Sequence, residues 1–365
     1  MKRISTFILA AALLFSIAAC TKRADEDPAA AETPAAETTL PPRDTPEPTP
    51  EPTAEPPREV LFRNAFNGAP LDEPDYTRPY AVVLNNHEDA QPQCSMEHAD
   101  IIFEVLAEGG ITRMMAIYSD MDFADPIGPI RSIRTYYVSL AMSFDALTIH
   151  AGWSPGAQAM IRNNGIDNID GVSDSSTAFV FYRDQSRVYK GYEHSLFAKG
   201  ESVISGVEKK GYETEISEEY SSGLSFADDV LIEDGEAAKA IKVVFNSGKS
   251  TSFTYHENES YYTAFQYGTK YYDGNTGDAV RYENVIVFSA KTKVIDSTGR
   301  LEVTLVGSGE GYFFHNGMAV PISWSRASET SPFLYTYEDG SEVILGAGKT
   351  YICIIPESDG AVTYE

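Results

Sequence analysis

The sequence predicts two domains. The first is an α/β layered domain with a largely parallel sheet and flanking helices over residues 59–222. The second is a strand-dominated module, all-β or α+β, over residues 223–365. Two observations carry this. Up to about residue 222, short apolar runs alternate with stretches of helical patterning. Beyond about residue 225, Tyr, Phe, Val, Thr and Gly dominate short alternating segments punctuated by turns.

The first 58 residues belong to neither domain. Lys2-Arg3, the apolar stretch from Phe7 to Ile17 and the small residues Ala18-Ala19 before Cys20 read as a bacterial lipoprotein signal peptide, residues 1–20. Cys20 is the expected lipidation site and new N-terminus. The apolar stretch falls short of the about 20 residues that span a bilayer, and no later segment reads as a crossing. Residues 21–58, almost entirely Pro, Glu, Ala and Thr, cannot bury enough apolar surface to fold. They read as a tether that, at about 3.1 Å per residue in polyproline II, reaches on the order of 100 Å. The expected location is the outer face of the cytoplasmic membrane.

In the α/β domain, Pro79 to Asn85 is a buried strand feeding a loop. Ser95 caps a helix whose greasy face is Ile101, Ile102, Val105 and Leu106, ended by Gly109-Gly110. Ile111 to Tyr118 is a second strand, Ser132 to Ser143 a helix, and Ala146 to His150 a third strand. Ser154-Pro155 starts a helix that Gly165 ends. Glu193 to Gly211 is the last helix. In the second module, Ile241 to Phe245 and Thr251 to Tyr255 straddle Asn246-Ser247-Gly248-Lys249, a hairpin signal.

The formal net charge is −26. So acidic a chain repels nucleic acid and anionic headgroups, which excludes nucleic-acid partners. It also makes an arginine cluster informative. Cys94 and Cys353 fall in different expected domains and read as unpaired, partly buried thiols. No Cys/His spacing suggests a metal, and no nucleotide-binding or hydrolase motif is present, so no cofactor is expected.

Ligand residues of such sheets gather at the carboxyl ends of strands. Here those ends carry Asn85 and Asn86, the loop with Asp120, and His150. Gly128-Pro129-Ile130-Arg131-Ser132-Ile133-Arg134 is the best chemical candidate. Arg131 and Arg134, three positions apart at a helix start, would share one helical face and suit a phosphate or carboxylate. The alternative is that they form structural ion pairs with Glu104, Glu108 or the loop aspartates. Arg113, inside an apolar strand, needs a partner, with Glu108 nearest in sequence. His150 and Asp120 are the weak candidates for acid–base work. His194, opening the last expected helix, reads as a cap.

Arg78 to His87, Pro92-Gln93, Ala99 to Glu104, Glu108 to Arg113, Ile127 to Arg134 and His150 to Ser154 together resemble the YerB-like lipoprotein family. The resemblance runs from about residue 70 to the end and includes Gly307, Trp324 and Gly348-Lys349-Thr350. It implies a two-part lipoprotein and no known activity. Arg113, Ala116-Ile117-Tyr118 and Arg131 to Arg134 are also similar in layout to LytR-CpsA-Psr cell-wall ligases, by analogy alone.

Three functions follow. The leading one is a tethered lipoprotein binding an anionic cell-envelope ligand through Asn85, Asn86, Arg113, Arg131, Ser132, Arg134 and His150. The second is an envelope polymer phosphotransfer enzyme. The third is a protein-interaction lipoprotein with no small-molecule site.

Overall fold

Tyr80–Asn85 (β1) is buried along its whole length. An apolar run without polar alternation must be covered on both faces. The computed structural model describes residues 62–365. The expected signal peptide, Cys20 and the whole tether therefore lie outside the described residues.

The strand β1 belongs to an eleven-stranded mixed sheet. Its other strands are β2 (Ile101–Leu106), β3 (Thr112–Tyr118), β4 (Leu147–His150), β5 (Asn168–Asp170), β6 (Glu236–Ala237), β7 (Asn284–Ala290), β8 (Gly307–His315), β9 (Met318–Arg326), β10 (Leu334–Thr336) and β11 (Thr350–Pro356). The order is β6-β9-β8-β7-β11-β2-β3-β1-β4-β5, with β10 on β9. Pairs β1–β4, β4–β5, β2–β11 and β7–β11 are parallel. Pairs β1–β3, β2–β3, β7–β8 and β8–β9 are antiparallel. The β2–β11 pair carries the sheet across the composition change near residue 225.

This corrects the expected fold class. The chain is strand-dominated, with mixed and antiparallel sheets, and has no helix-flanked parallel α/β domain at its amino end. Three α-helices occur among the described residues: α1 (Thr135–Ser143), α2 (Pro155–Asn164) and α3 (Gly200–Lys210). The helix expected from Ser95 is strand β2. A short apolar run fits a doubly buried strand as well as a helix face, and periodicity cannot separate them. The helix expected from Glu193 divides into a 3-10 turn (Tyr192–His194), a strand (Leu196–Lys199) and α3. Helix α2 does form between its Ser154 cap and Gly165, which takes the left-handed conformation.

Alternate residues of the large sheet face opposite layers. Val82, Leu84, Met114 and Ala116 pack with Phe245, Phe253 and Tyr262 of a second, six-stranded sheet and with Val203 and Val207 of α3. Ala81, Val83, Phe103 and Met115 pack with Tyr137 and Leu140 of α1 and Ile161 of α2. The second sheet is built on the expected hairpin, Ala240–Asn246 against Lys249–His256. Cys94 and Cys353 are both buried and unpaired.

Candidate functional site

Register fixes one edge of the sheet. Asn85 stands opposite Arg113, and Leu106 opposite Thr112. The carboxyl ends of β1, β2 and β4 therefore meet the amino end of β3. Asn85, Asn86, Glu108, Arg113 and His150 share this edge. Asp120 does not. It lies seven residues beyond Arg113, past the other end of β3, about 23 Å away at about 3.3 Å per residue.

The segment from Ile130 to Ile133 runs extended into the same edge. The Arg131 N–H donates to Val83 O at 2.8 Å, and Ala151 N–H donates to Arg131 O at 2.9 Å. Gly128 lets the chain pass closely: its φ is +147°, and a Cβ there would sit 2.9 Å from Leu196 O. Helix α1 begins only at Thr135, with Arg134 as its cap residue. This corrects the expected shared helical face, because residues three apart on an extended segment point to opposite sides.

The two arginines accordingly diverge. Arg134 Nη2 donates to Glu108 Oε2 at 3.1 Å, its Nε donates to Glu108 Oε1, and its Nη1 donates to Ile133 O at 3.0 Å. Arg113 places Nη2 at 3.3 Å from Glu108 Oε2 and donates from Nη1 to Ser132 O at 2.8 Å. Burial opposes ionisation of Glu108, yet the Arg134 hydrogen bond and the Arg113 charge outweigh it and hold its carboxyl below the usual range. Glu108 thus pairs with both of these arginines.

Arg131 is different. Its guanidinium makes no ion pair or hydrogen bond, and its buried Nε has no partner. Burial first, then the neighbouring Arg113 charge, pull it down to about 10. It lines a cleft of about 230 Å³ together with Ser132, Val172, Arg183, Tyr192 and Glu193.

The remaining expected residues support the walls. Ser132 lines the cleft and donates from Oγ to Ala151 O at 2.7 Å. Asn85 Nδ2 bonds His194 Nδ1 at 2.8 Å. Asn86 Nδ2 donates to Glu104 Oε1 at 3.0 Å and Thr112 Oγ1 at 2.8 Å, inside the protein. His150 is fully buried, with Gly152 O 3.0 Å from Nδ1 and Asn168 Oδ1 3.3 Å from Nε2. Burial lowers its pKa against the opposing pull of Asp170. A ring closed in this way cannot exchange protons with a ligand in the cleft.

Among the described residues, His87, Asp89 and His194 bring metal-ligand atoms within 4.8 Å of one another. A metal-bound imidazole normally donates its second N–H outward. Here Nδ1 of His87 accepts from Asp89 N–H at 3.1 Å, and Nδ1 of His194 accepts from Asn85. The Asn85 amide is fixed in that sense, because its Oδ1 accepts from His87 N–H at 3.1 Å. Each neutral ring therefore carries its hydrogen on Nε2, and the cluster does not fit a metal.

A larger hollow, about 880 Å³, opens at the opposite edge among Glu97, Asp100, Arg281, Glu283 and Lys349. Its less exposed polar groups already have partners, and the exposed Arg281 guanidinium lies 4.7 Å over the Tyr261 ring. Asp100 accepts from Asn67 Nδ2 at 2.6 Å and Ser119 N at 2.7 Å, Glu283 accepts from Lys349 N at 2.6 Å, and Lys349 Nζ donates to Glu97 O. The Arg131 cleft is thus the better candidate despite its size.

Comparison with known proteins fixes the family. Residues 66–213 match the N-terminal domain of a protein of unknown function, DUF3048, and residues 241–352 match its C-terminal domain. The chain belongs to the DUF3048 family. It is 30% identical over 287 residues to "Putative lipoprotein YerB" of Bacillus subtilis (strain 168), covering 78% of this chain and 83% of that protein. The crystal structure of the Bacillus subtilis YerB protein superposes with a TM-score of 0.71 at 28% identity, covering 83% of this chain and 99% of that one. The resemblance read from Arg78 to Ser154 is therefore correct.

The DUF3048 N-terminal match contains every residue lining the Arg131 cleft. Sequence reasoning missed Arg183 and Tyr192 because they stand in a stretch of short turns without periodicity. The signal that could have found them is compositional. Phe179, Tyr182, Tyr189 and Tyr192 are all exposed within fourteen residues of one another, beside Arg183 and Arg187.

Proposed function

We propose that this protein is a lipoprotein, tethered outside the cytoplasmic membrane through Cys20, that binds an anionic cell-envelope ligand in the Arg131 cleft. The partner-free, half-buried guanidinium of Arg131 carries the reading. In a chain of net charge −26, carboxylates are abundant, yet Arg131 has none within ion-pair distance. An unpaired, partly buried cation costs stability, and such costs are kept where function needs them. Ser132 shares the cleft, while Arg113, Arg134, Asn85 and His150 fix its walls. The Bacillus subtilis relative, described as "Putative lipoprotein YerB", supports the anchor.

The test is Arg131→Ala. Because the side chain has no internal partner, the variant folds with unchanged or slightly higher stability. Inorganic phosphate or pyrophosphate raises the Tm of the wild type, and binding by the variant is about 10- to 100-fold weaker, the loss of one charge-assisted interaction. Equal Tm shifts in both proteins reject the reading. The anchor is tested separately. Cys20→Ala expressed in a Gram-positive host fails to incorporate labelled fatty acid and leaves the membrane fraction unlabelled. Continued labelling of that variant rejects Cys20 as the lipidation site.

A further inference from the structure

The cleft contains more than an anion needs. Arg183 lines it with Arg131, and its Nη1 donates only to a backbone oxygen, Tyr192 O, at 2.6 Å. It has no carboxylate partner, so two unpaired guanidiniums face one small space. The Arg183 guanidinium lies 3.8 Å over the Tyr192 ring, which is nevertheless 63% exposed. Val172, 66% exposed, adds an apolar surface on the same lining.

Glu193 is the carboxylate on this lining. It makes no ion pair with either arginine, and the neutral His194 ring places Nε2 4.0 Å from its Oε1. A carboxylate beside two cations, bonded only to its own backbone N–H, is a liability for a bare anion, which it repels. It suits a ligand that presents hydroxyl donors next to its negative charge. An exposed tyrosine face likewise suits a ring carried by the ligand, through its apolar C–H face. The volume, about 230 Å³, lies below the about 300–1,000 Å³ of drug-sized sites, so it seats one headgroup and leaves the rest outside.

We propose that the ligand is a glycosyl phosphate, its phosphoryl group held by Arg131 and Arg183, its hydroxyls by Glu193, and its sugar ring against Tyr192. This rests on the reading of the Arg131 cleft and adds the sugar to it. The geometry is one of recognition, and no bond is made or broken.

The experiment is calorimetric titration of the whole protein with glucose 1-phosphate, inorganic phosphate and glucose. The wild type binds glucose 1-phosphate about tenfold more tightly than phosphate, a difference of about 1.4 kcal/mol. Tyr192→Leu keeps the backbone oxygen that positions Arg183 and lowers the affinity for glucose 1-phosphate to that for phosphate. Glu193→Gln separates the two ligands by sign: glucose 1-phosphate weakens, and phosphate binds equally or more tightly. A lipid-linked glycosyl phosphate in phosphatidylcholine vesicles distinguishes a membrane-borne source from a soluble one. Equal wild-type affinities for phosphate and glucose 1-phosphate overturn the sugar while leaving the anion site standing. So does Glu193→Gln strengthening both alike. Failure of every phosphorylated ligand, with Arg131→Ala indistinguishable from wild type, overturns the anion site itself.

Discussion

Lys249→Met lowers the unfolding free energy by about 3–5 kcal/mol, the cost of leaving a buried charge without its partner. Lys249 and Glu104 are both buried, with Nζ 3.0 Å from Oε1. They come from different layers, Glu104 from β2 and Lys249 from the second sheet. Around Glu104 the polar groups are fully committed. Oε1 accepts from Asn86 at 3.0 Å and Thr112 at 2.6 Å. Oε2 accepts from Thr251 at 2.8 Å, Gln266 at 3.1 Å and Tyr351 at 2.6 Å. Burial disfavours the charged carboxyl, but Lys249 and these hydroxyls outweigh it and hold the pKa below the usual range. Removing the ammonium leaves an anion with nowhere to go. Adding Glu104→Gln to Lys249→Met therefore recovers part of the loss. Urea unfolding at constant m reads both effects, and a single-variant loss under about 1 kcal/mol would show that the pair does not join the layers.

That network also explains what the sequence could not disclose. Glu104 and its acceptor role depend on Tyr351, 247 positions away. The segment Ile101–Leu106 has strand β3 on one side and β11 on the other, and only the first is local. Without β11 the run of apolar residues is equally a helix face, and with it the run is a strand. The same dependence shapes the site. A shared face for Arg131 and Arg134 requires the helix to have begun, whereas Ile130–Ile133 is held extended by Val83 on one side and by Ala151 and Gly152 on the other. Where signals were local, they were legible: the Ser154 cap, the Gly165 stop and the Asn246–Lys249 hairpin rest on residues within one turn of each other. The candidate site was half legible. Its edge and its central arginine follow from strand ends, but Arg183 and Tyr192 reach it through turns whose course no periodic pattern records.

Glu108 is where structure and ligand chemistry meet, and Glu108→Gln has the second large effect. Its carboxylate neutralises two guanidiniums, one of them, Arg113, almost wholly buried. Removing the charge leaves Arg113 and Arg134 facing each other, where burial and then the Arg134 charge already depress the proton affinity of Arg113. The expected loss is about 2–3 kcal/mol, below the full value for a buried pair because Glu108 is partly open to solvent. The opening matters, since a small anion can approach from solvent the two guanidiniums that the neutral amide no longer balances. Phosphate should then raise the Tm of Glu108→Gln by more than that of wild type, through a second site that Arg131→Ala does not remove. If phosphate stabilises the two proteins equally, Arg113 and Arg134 are sealed from solvent and act only within the fold. If it favours the variant, Glu108 is the internal anion that keeps this corner occupied and confines ligand binding to the Arg131 cleft.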